Sequence, residues 1–453
     1  MNISFVLKTL AVAAIAVGGV IGGRYLFSPP KTTCIWTPPF LEAERQPTQR
    51  FALSTFDIRD QLEAPSLATD DGGHTFLAWA SQVDDGQKAM FLSAADDEGK
   101  FAEATTVART GIAKFVAQMK GKTITRESRM LPHIAIREGT MHAAWVDAQA
   151  DPPSTRMMHA TSEDGITFAN PVCVHQSDKA RPTFTALAVG PGGAVACSWL
   201  DNRDKVQKPF ASLRLLPMAG FEPEAAVHEG ETGKGTCPCC PTAATFAPDG
   251  TFYVAFRNIQ DGYRDIAIAR RKPGETTFEG PFPIVPPTWK FDGCPHDGAS
   301  LAIVGDDIHV VWMDAHTDSP RCYYGKAKLT DMKFKVTDLH PITTGSQGNA
   351  KIAVDGEGTL HAVWEESSVA GPAPGEHQHH SAGSSRTIMY AQKHSCCPRF
   401  GSAHAIAGRD GAFQSRPTII VDSLGRRIVA WNELDEAGKS VVVSKLDEKF
   451  GNE

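Results

Sequence analysis

Three thiols fall within four residues in Cys237-Pro238-Cys239-Cys240-Pro241, and two further clusters echo the pattern, Cys294-Pro295-His296 and His394-Ser395-Cys396-Cys397-Pro398. Proline fixes φ and withholds a backbone donor, so these stretches can be neither helix nor inner strand and must be loops. Thiolate and imidazole are soft donors. Cys237, Cys239, Cys240, Cys294, His296, Cys396 and Cys397 together form a ligand pool suited to copper(I) or zinc. Two other chemistries are open to the same sulfurs. They could be disulfides, either vicinal (Cys239-Cys240 and Cys396-Cys397) or between neighbouring loops. They could also be a redox-active dithiol whose pKa is lowered in a prolyl loop. No cofactor other than copper or zinc is expected.

The remaining cysteines read differently. Cys173 and Cys197 fall in expected strands, Cys322 begins another, and Cys34 lies near the N-terminus. Cys197 reads as a small buried hydrophobe. Glu376-His377-Gln378-His379-His380-Ser381, in a Gly, Pro and Ser-rich stretch, suits either metal handling or a flexible surface tract. His133, His142, His309 and His361 read as satisfied core or rim residues.

The compartment bears on how the thiols should be read. Lys8 precedes an uncharged run from Thr9 to Gly23 that Arg24 closes. Residues 1–27 therefore read as a signal peptide, cleaved after Ala14-Ile15-Ala16, or as a retained membrane anchor. Residues 28–49, with five prolines, read as a tether, and 50–449 as the folded domain. This predicts an exported protein, periplasmic or extracellular, in which cysteines are paired or metal-bound. The formal charge of −7 over 453 residues is mild and the Lys and Arg are scattered, which argues against a nucleic-acid surface. Expected partners are a metal ion, a small molecule or a glycan, with the membrane touched only by the N-terminal segment and the protein a monomer.

The elements that must position the clusters show in a repeat. A Trp closes a short alternating run at Trp79, Trp145, Trp199, Trp312, Trp364 and Trp431, with Phe256 filling the one gap; the spacings are 66, 54, 57, 56, 52 and 67 residues. In Arg416-PTIIVDSLGRRIVAW-Asn432 and Asn349-AKIAVDGEGTLHAVW-Glu365, Asp and Gly mark hairpin turns between two strands. A third strand follows, as in Lys88-AMFLSAAD and Arg386-TIMYAQ, and a fourth leads to the next copy. Four antiparallel strands per copy and seven copies predict an all-β, seven-bladed β-propeller. A six-bladed form is the alternative, because a helix-like insert around Gly111 to Lys122 precedes the second copy. The last copy ends after three strands at Lys439-SVVVSKL, so Phe51-Ala-Leu-Ser-Thr-Phe56 is expected to close the ring.

Thr161-Ser162-Glu163-Asp164-Gly165-Ile166-Thr167-Phe168 resembles the Asp-box of the sialidase and BNR-repeat superfamily, and Ser93-AADDEGKF is a degraded version. The resemblance covers nearly the whole chain as architecture and implies structural turns between third and fourth strands. It also implies an exo-sialidase-type glycoside hydrolase as one activity. In that reading Arg181 and Arg416 bind the substrate carboxylate, and Asp297 or Asp314 serves as acid. The chain departs from the superfamily's pattern: Glu63-Ala64-Pro65-Ser66 stands where Phe/Tyr-Arg-Ile-Pro is expected, and a third arginine is not evident.

Strands that alternate direction put the loop leading into each innermost strand and the loop leaving each second strand on one face. Aligned on their aromatics, the lead-in positions are Ala64, Leu131, Arg181, Cys240, Asp297, Asn349 and Arg416. The exit positions are Ser81, Asp147, Asp201, Asn258, Asp314, Glu366 and Glu433. Two polar rings around one central depression are the default binding site of such a fold. In this register all three cysteine clusters approach one mouth, with His296 and His316 flanking it at the fifth blade. The expected function is an exported propeller with a soft-metal or thiol centre at its mouth. The alternatives are the glycoside hydrolase and a disulfide-pinned binding propeller without catalysis.

Overall fold

The computed structural model describes residues 49–53, 63–84, 86–119, 122–215, 220–368, 386–406 and 411–446. The chain divides into two units, Met1–Ile35 and Trp36–Glu453, and the first lies wholly outside these residues, as do Cys34 and the His377–His380 tract. Among the described residues there is no α-helix, only a short 3-10 turn at Pro191–Gly193.

Seven four-stranded antiparallel sheets form the blades of a β-propeller. Six are simple meanders, within residues 66–111, 133–173, 183–226, 243–283, 300–338 and 346–405. The seventh takes Phe413–Val421, Arg427–Asp435 and Gly438–Leu446 from the end of the chain and its outer strand, Gln49–Leu53, from the beginning. Gln49 pairs with Val443 and Leu53 with Lys439, so the predicted clasp is present and covers the last strand edge. Each innermost strand packs beside that of the next blade, and the last packs beside the first, which closes the ring at seven.

The second strands show why the aromatic recurs. Trp199, Trp312, Trp364 and Trp431 are all but inaccessible to solvent and pack in the layers between blades. A buried indole N–H needs an acceptor. In these four strands it donates to the carboxylate two residues on: Asp201, Asp314, Glu366 and Glu433. Four of the seven exit positions are therefore occupied with satisfying the indole of their own strand.

The turns follow the sequence reading. Asp422 Oδ1 accepts the backbone N–H groups of Leu424 and Arg426, and Asp355 Oδ1 those of Glu357 and Thr359. Asp164 Oδ1 accepts from Ser162 Oγ and from the N–H groups of Ile166 and Thr167 in a third-to-fourth strand turn. Cys197 is fully buried among Val195, Trp199 and Met157, as expected. His309 and His361 meet the hydroxyls of Tyr324 and Tyr390 at 2.7 Å, His133 meets Thr185 Oγ1 at 2.9 Å, and His142 pairs with His159 at 3.2 Å.

One element differs from expectation. The insert before the second blade is not helical; it is a β-hairpin, Lys114–Met119 paired with Lys122–Glu127. Its base is closed by Ser128 N–H donating to Ala113 O at 2.8 Å and Ala113 N–H to Ser128 Oγ at 3.0 Å.

Candidate metal centre

The loop leading into the fourth blade is pinned from both sides. Cys237 N–H donates to Arg257 O at 3.0 Å, and Thr242 N–H to Phe184 O of the third blade at 3.2 Å. Thr242 Oγ1 bonds Ser198 Oγ at 2.9 Å and also Phe184 O. Between these anchors the prolyl backbone turns all three sulfurs inward. Cys237, Cys239 and Cys240 are each about 1% exposed and pack against Phe184 and Leu200, with Ile259 and Cys294 beside them.

The loop leading into the fifth blade comes to meet them. Gly298 is the reason it can: a Cβ there would lie 2.3 Å from Pro241 O. Arg257, itself 1% exposed, ties the two loops by donating to Asp297 O, Met313 O and Arg264 O, with its guanidinium over the Trp289 ring. The result is five soft donors in one place. The sulfurs of Cys237, Cys239 and Cys240 lie within 4.8 Å of one another, as do those of Cys239 and Cys294 with a ring nitrogen of His296. Cys237 Sγ is 3.5 Å from Cys239 Sγ and 3.7 Å from Cys240 Sγ. Two thiolates bound to one tetrahedral ion at about 2.3 Å stand roughly 3.8 Å apart, so the spacing already approximates a chelate edge. Both separations are far too long for a disulfide to Cys237, and Cys239 and Cys240 are themselves free, so the Cys239-Cys240 bridge is not formed.

The electrostatics suit a metal. Arg264 Nη1 donates to Cys237 Sγ at 3.1 Å. Hydrogen bonds from Cys239 and Cys240, with Arg264 and Arg257 behind them, hold the Cys237 thiol well below its ordinary pKa. Cys294 is lowered too, by its bond with Cys239 and by Arg264 and Arg126. Burial pushes Cys239 and Cys240 up, so these are the sites at which a metal would displace protons. His296 is pushed down to about 3 by burial and by Arg416, Arg129 and Arg126, which leaves a neutral imidazole. Its backbone is left-handed at φ 54°, and its Nδ1 is buried with no hydrogen-bond partner.

The other expected site residues fare variously. Arg416 is at the mouth: Nη1 donates to His296 O at 3.1 Å and to Asn349 Oδ1, and its N–H to Glu365 Oε1 at 2.7 Å. Arg181 is not its counterpart. Its guanidinium folds back onto the carbonyls of Asp178 and Ala180, and Phe184 takes the left-handed lead-in conformation that Asn349 and Arg416 share. Asp297 is buried beneath His296; Oδ2 accepts Asn349 N–H, Oδ1 has no partner, and burial raises its pKa. Asp314 accepts from Trp312 Nε1 at 3.4 Å and from His316 N–H at 3.2 Å, and it pairs with His316 Nδ1.

Cys396 and Cys397 are a correction. His394 to Cys397 lies between the third strand of blade six, Thr387–Lys393, and the fourth, His404–Ala405. Such a turn opens on the face opposite the lead-in loops, so this cluster belongs to a different surface and leaves the ligand pool. Cys396 is disulfide-bonded, but not to Cys397, which is free and whose sulfur lies 3.9 Å away, so the vicinal bridge is not formed.

Four arginines were not anticipated. Arg257 had a visible signal: it follows the aromatic where Val146, Leu200 and Met313 stand in other copies. Arg264 sits in a second-to-third strand loop on the mouth face. Arg126 is on the hairpin and Arg129 beside it; both act on His296, although they belong to the approach to the second blade and it to the fifth.

No protein-family model and no curated protein matches the chain. Solved structures do. Polysaccharide lyase Uly1 matches with a TM-score of 0.52 at 11% identity, covering 90% of this chain and 94% of the other. A variant of the NanB sialidase of Streptococcus pneumoniae matches with a TM-score of 0.45 at 8% identity, over 83% of each chain. An α-L-arabinanase of Penicillium chrysogenum matches at 0.43 and 14%, over 88% of this chain and 96% of that one. At 11% identity the likeness to the lyase speaks to the fold alone.

Proposed function

We propose that this protein is an exported metal-binding propeller whose mouth holds a soft ion, copper(I) or zinc, on Cys237, Cys239, Cys240, Cys294 and His296. The observation that carries the reading is the convergence of two lead-in loops, from different blades, on one buried set of reduced thiols and a neutral imidazole. Copper(I) is the better match because three or more thiolates with an apolar surround favour a soft ion. Metal analysis of the full chain purified from its own compartment should find copper or zinc bound, and Cys237→Ser with Cys239→Ser should lose it without unfolding. Metal-free protein with fully paired cysteines sinks the proposal.

A glycan or small-molecule substrate at the same mouth is the second reading. Asp297 favours it, being a buried carboxyl with a raised pKa and an unpartnered oxygen. The crowding of Arg416 onto His296 O and Asn349 opposes a sialidase-type carboxylate site. No turnover of a fluorogenic sialoside is expected; clear turnover abolished in Arg416→Ala would reverse the preference.

A further inference from the structure

The five donors do not surround one point. They make two triangles, Cys237/Cys239/Cys240 and Cys239/Cys294/His296, each with its ligand atoms within 4.8 Å of one another, and Cys239 is the vertex they share. We propose, building on the soft-metal reading above, that the centre is binuclear: two copper(I) ions bridged by Cys239 Sγ, one completed by Cys237 and Cys240, the other by Cys294 and His296.

Donor number, charge and polar satisfaction all bear on the choice between one ion and two. A three-cornered donor set is enough for copper(I), which accepts low coordination numbers, and a thiolate sulfur has lone pairs to spare for two ions. A single ion in the first triangle would leave Cys294 and His296 beside it unused, with the His296 Nδ1 still buried and unpartnered. A single ion in the second would leave the sulfurs of Cys237 and Cys240, within 4.8 Å of Cys239, buried and unused beside it. Four thiolates and two monovalent ions leave two negative charges. Two guanidiniums stand where those charges would be: Arg264 donates to Cys237 Sγ at 3.1 Å, and Arg257 is buried between the two loops. The binding step is a proton exchange without redox. Each copper enters and stays as copper(I): copper–acetonitrile bonds break, sulfur–copper and nitrogen–copper bonds form, and whatever protons the four thiols still carry leave to solvent.

The test is an anaerobic titration of the reduced full chain with copper(I), supplied as its acetonitrile complex, against a competing chelator. Saturation at two copper ions per chain is expected, with a copper–copper neighbour in X-ray absorption. Cys240→Ser and His296→Ala should each halve the stoichiometry and remove that neighbour, while Cys239→Ser should lose both ions or bind them without the short vector. Saturation at one ion, or two ions with no copper neighbour, overturns the binuclear centre and leaves the mononuclear reading standing. No uptake at all overturns both. Should Cys239→Ser fail to fold, the stoichiometry and absorption spectrum of the unaltered protein decide the matter alone.

Discussion

The approach of the two cysteine-bearing loops rests on a residue that offers no donor atom. Gly298 lets the fifth-blade lead-in pass so close to Pro241 O that any side chain would force the loops apart. In Gly298→Ala the Cβ would sit 2.3 Å from a backbone oxygen, a separation that only backbone movement relieves. Because metal sites tolerate donor shifts of only about 0.2 Å, this substitution should weaken copper or zinc affinity by at least ~10-fold while the propeller still folds. Chelator competition on the variant checks it, and unchanged affinity would show that the two loops need not touch. That Cys237, Cys239, Cys240, Cys294 and His296 share one mouth was readable, since the repeat register puts both lead-in loops on the same face. Gly298 was not, because a glycine beside a proline-histidine run has no distinguishing local pattern; only the approach of a second loop gives it meaning.

At the scale of elements, the strand from the N-terminal side carries a load beyond its pairing. Arg50 of Gln49–Leu53 bridges to Glu433 Oε1 at 3.0 Å, and the same carboxylate accepts from Trp431 Nε1 at 3.2 Å and Gln414 Nε2 at 3.1 Å. Glu433 is fully buried, so Glu433→Ala takes the carboxylate from two buried donors, Trp431 Nε1 and Gln414 Nε2, and breaks the Arg50 bridge. A loss of about 3 kcal/mol is expected, read as a fall of several degrees in melting temperature, and Glu433→Gln should recover part of it. An unaltered melt would mean that the clasp is dispensable. The clasp could be foreseen by counting strands. The hairpin at Lys114–Glu127 could not, because its short alternation is compatible with either period until Ala113 and Ser128 are seen to close it. The same distinction governs Cys396 and Cys397: their place in the chain, upstream of the seventh blade, suggested the mouth. The strand count within blade six sends them to the other face.

At the scale of the whole molecule, the ring buries a set of imidazoles that must stay neutral. Burial lowers His133, His142 and His309 to about 4 and His159 to about 3, with nearby Lys351, Arg214, Lys326 and Lys393 adding to the effect. An unfolded imidazole titrates near 6.5, so below that pH the unfolded chain takes up protons that the folded one refuses. Stability is therefore full above about 6.5 and declines as pH falls toward the folded values, each unit of depression being worth about 1.4 kcal/mol. Surface His74, raised by its bond to Asp70, works the other way but is well exposed. The melting temperature should drop steadily between about pH 6.5 and 5.5, above the range in which ordinary carboxylates titrate; a flat profile over that window would contradict the burial of these rings. What the sequence by itself determined was the repeat, the strand count and the soft chemistry of the thiols, because period, turn residues and donor type are properties of a few neighbouring positions. Which thiols meet, which arginines balance them and which aspartates are consumed by indoles was decided only by tertiary structure. Those outcomes depend on how closely one lead-in loop packs on the next, and that distance is set by the closure of all seven blades around a common axis.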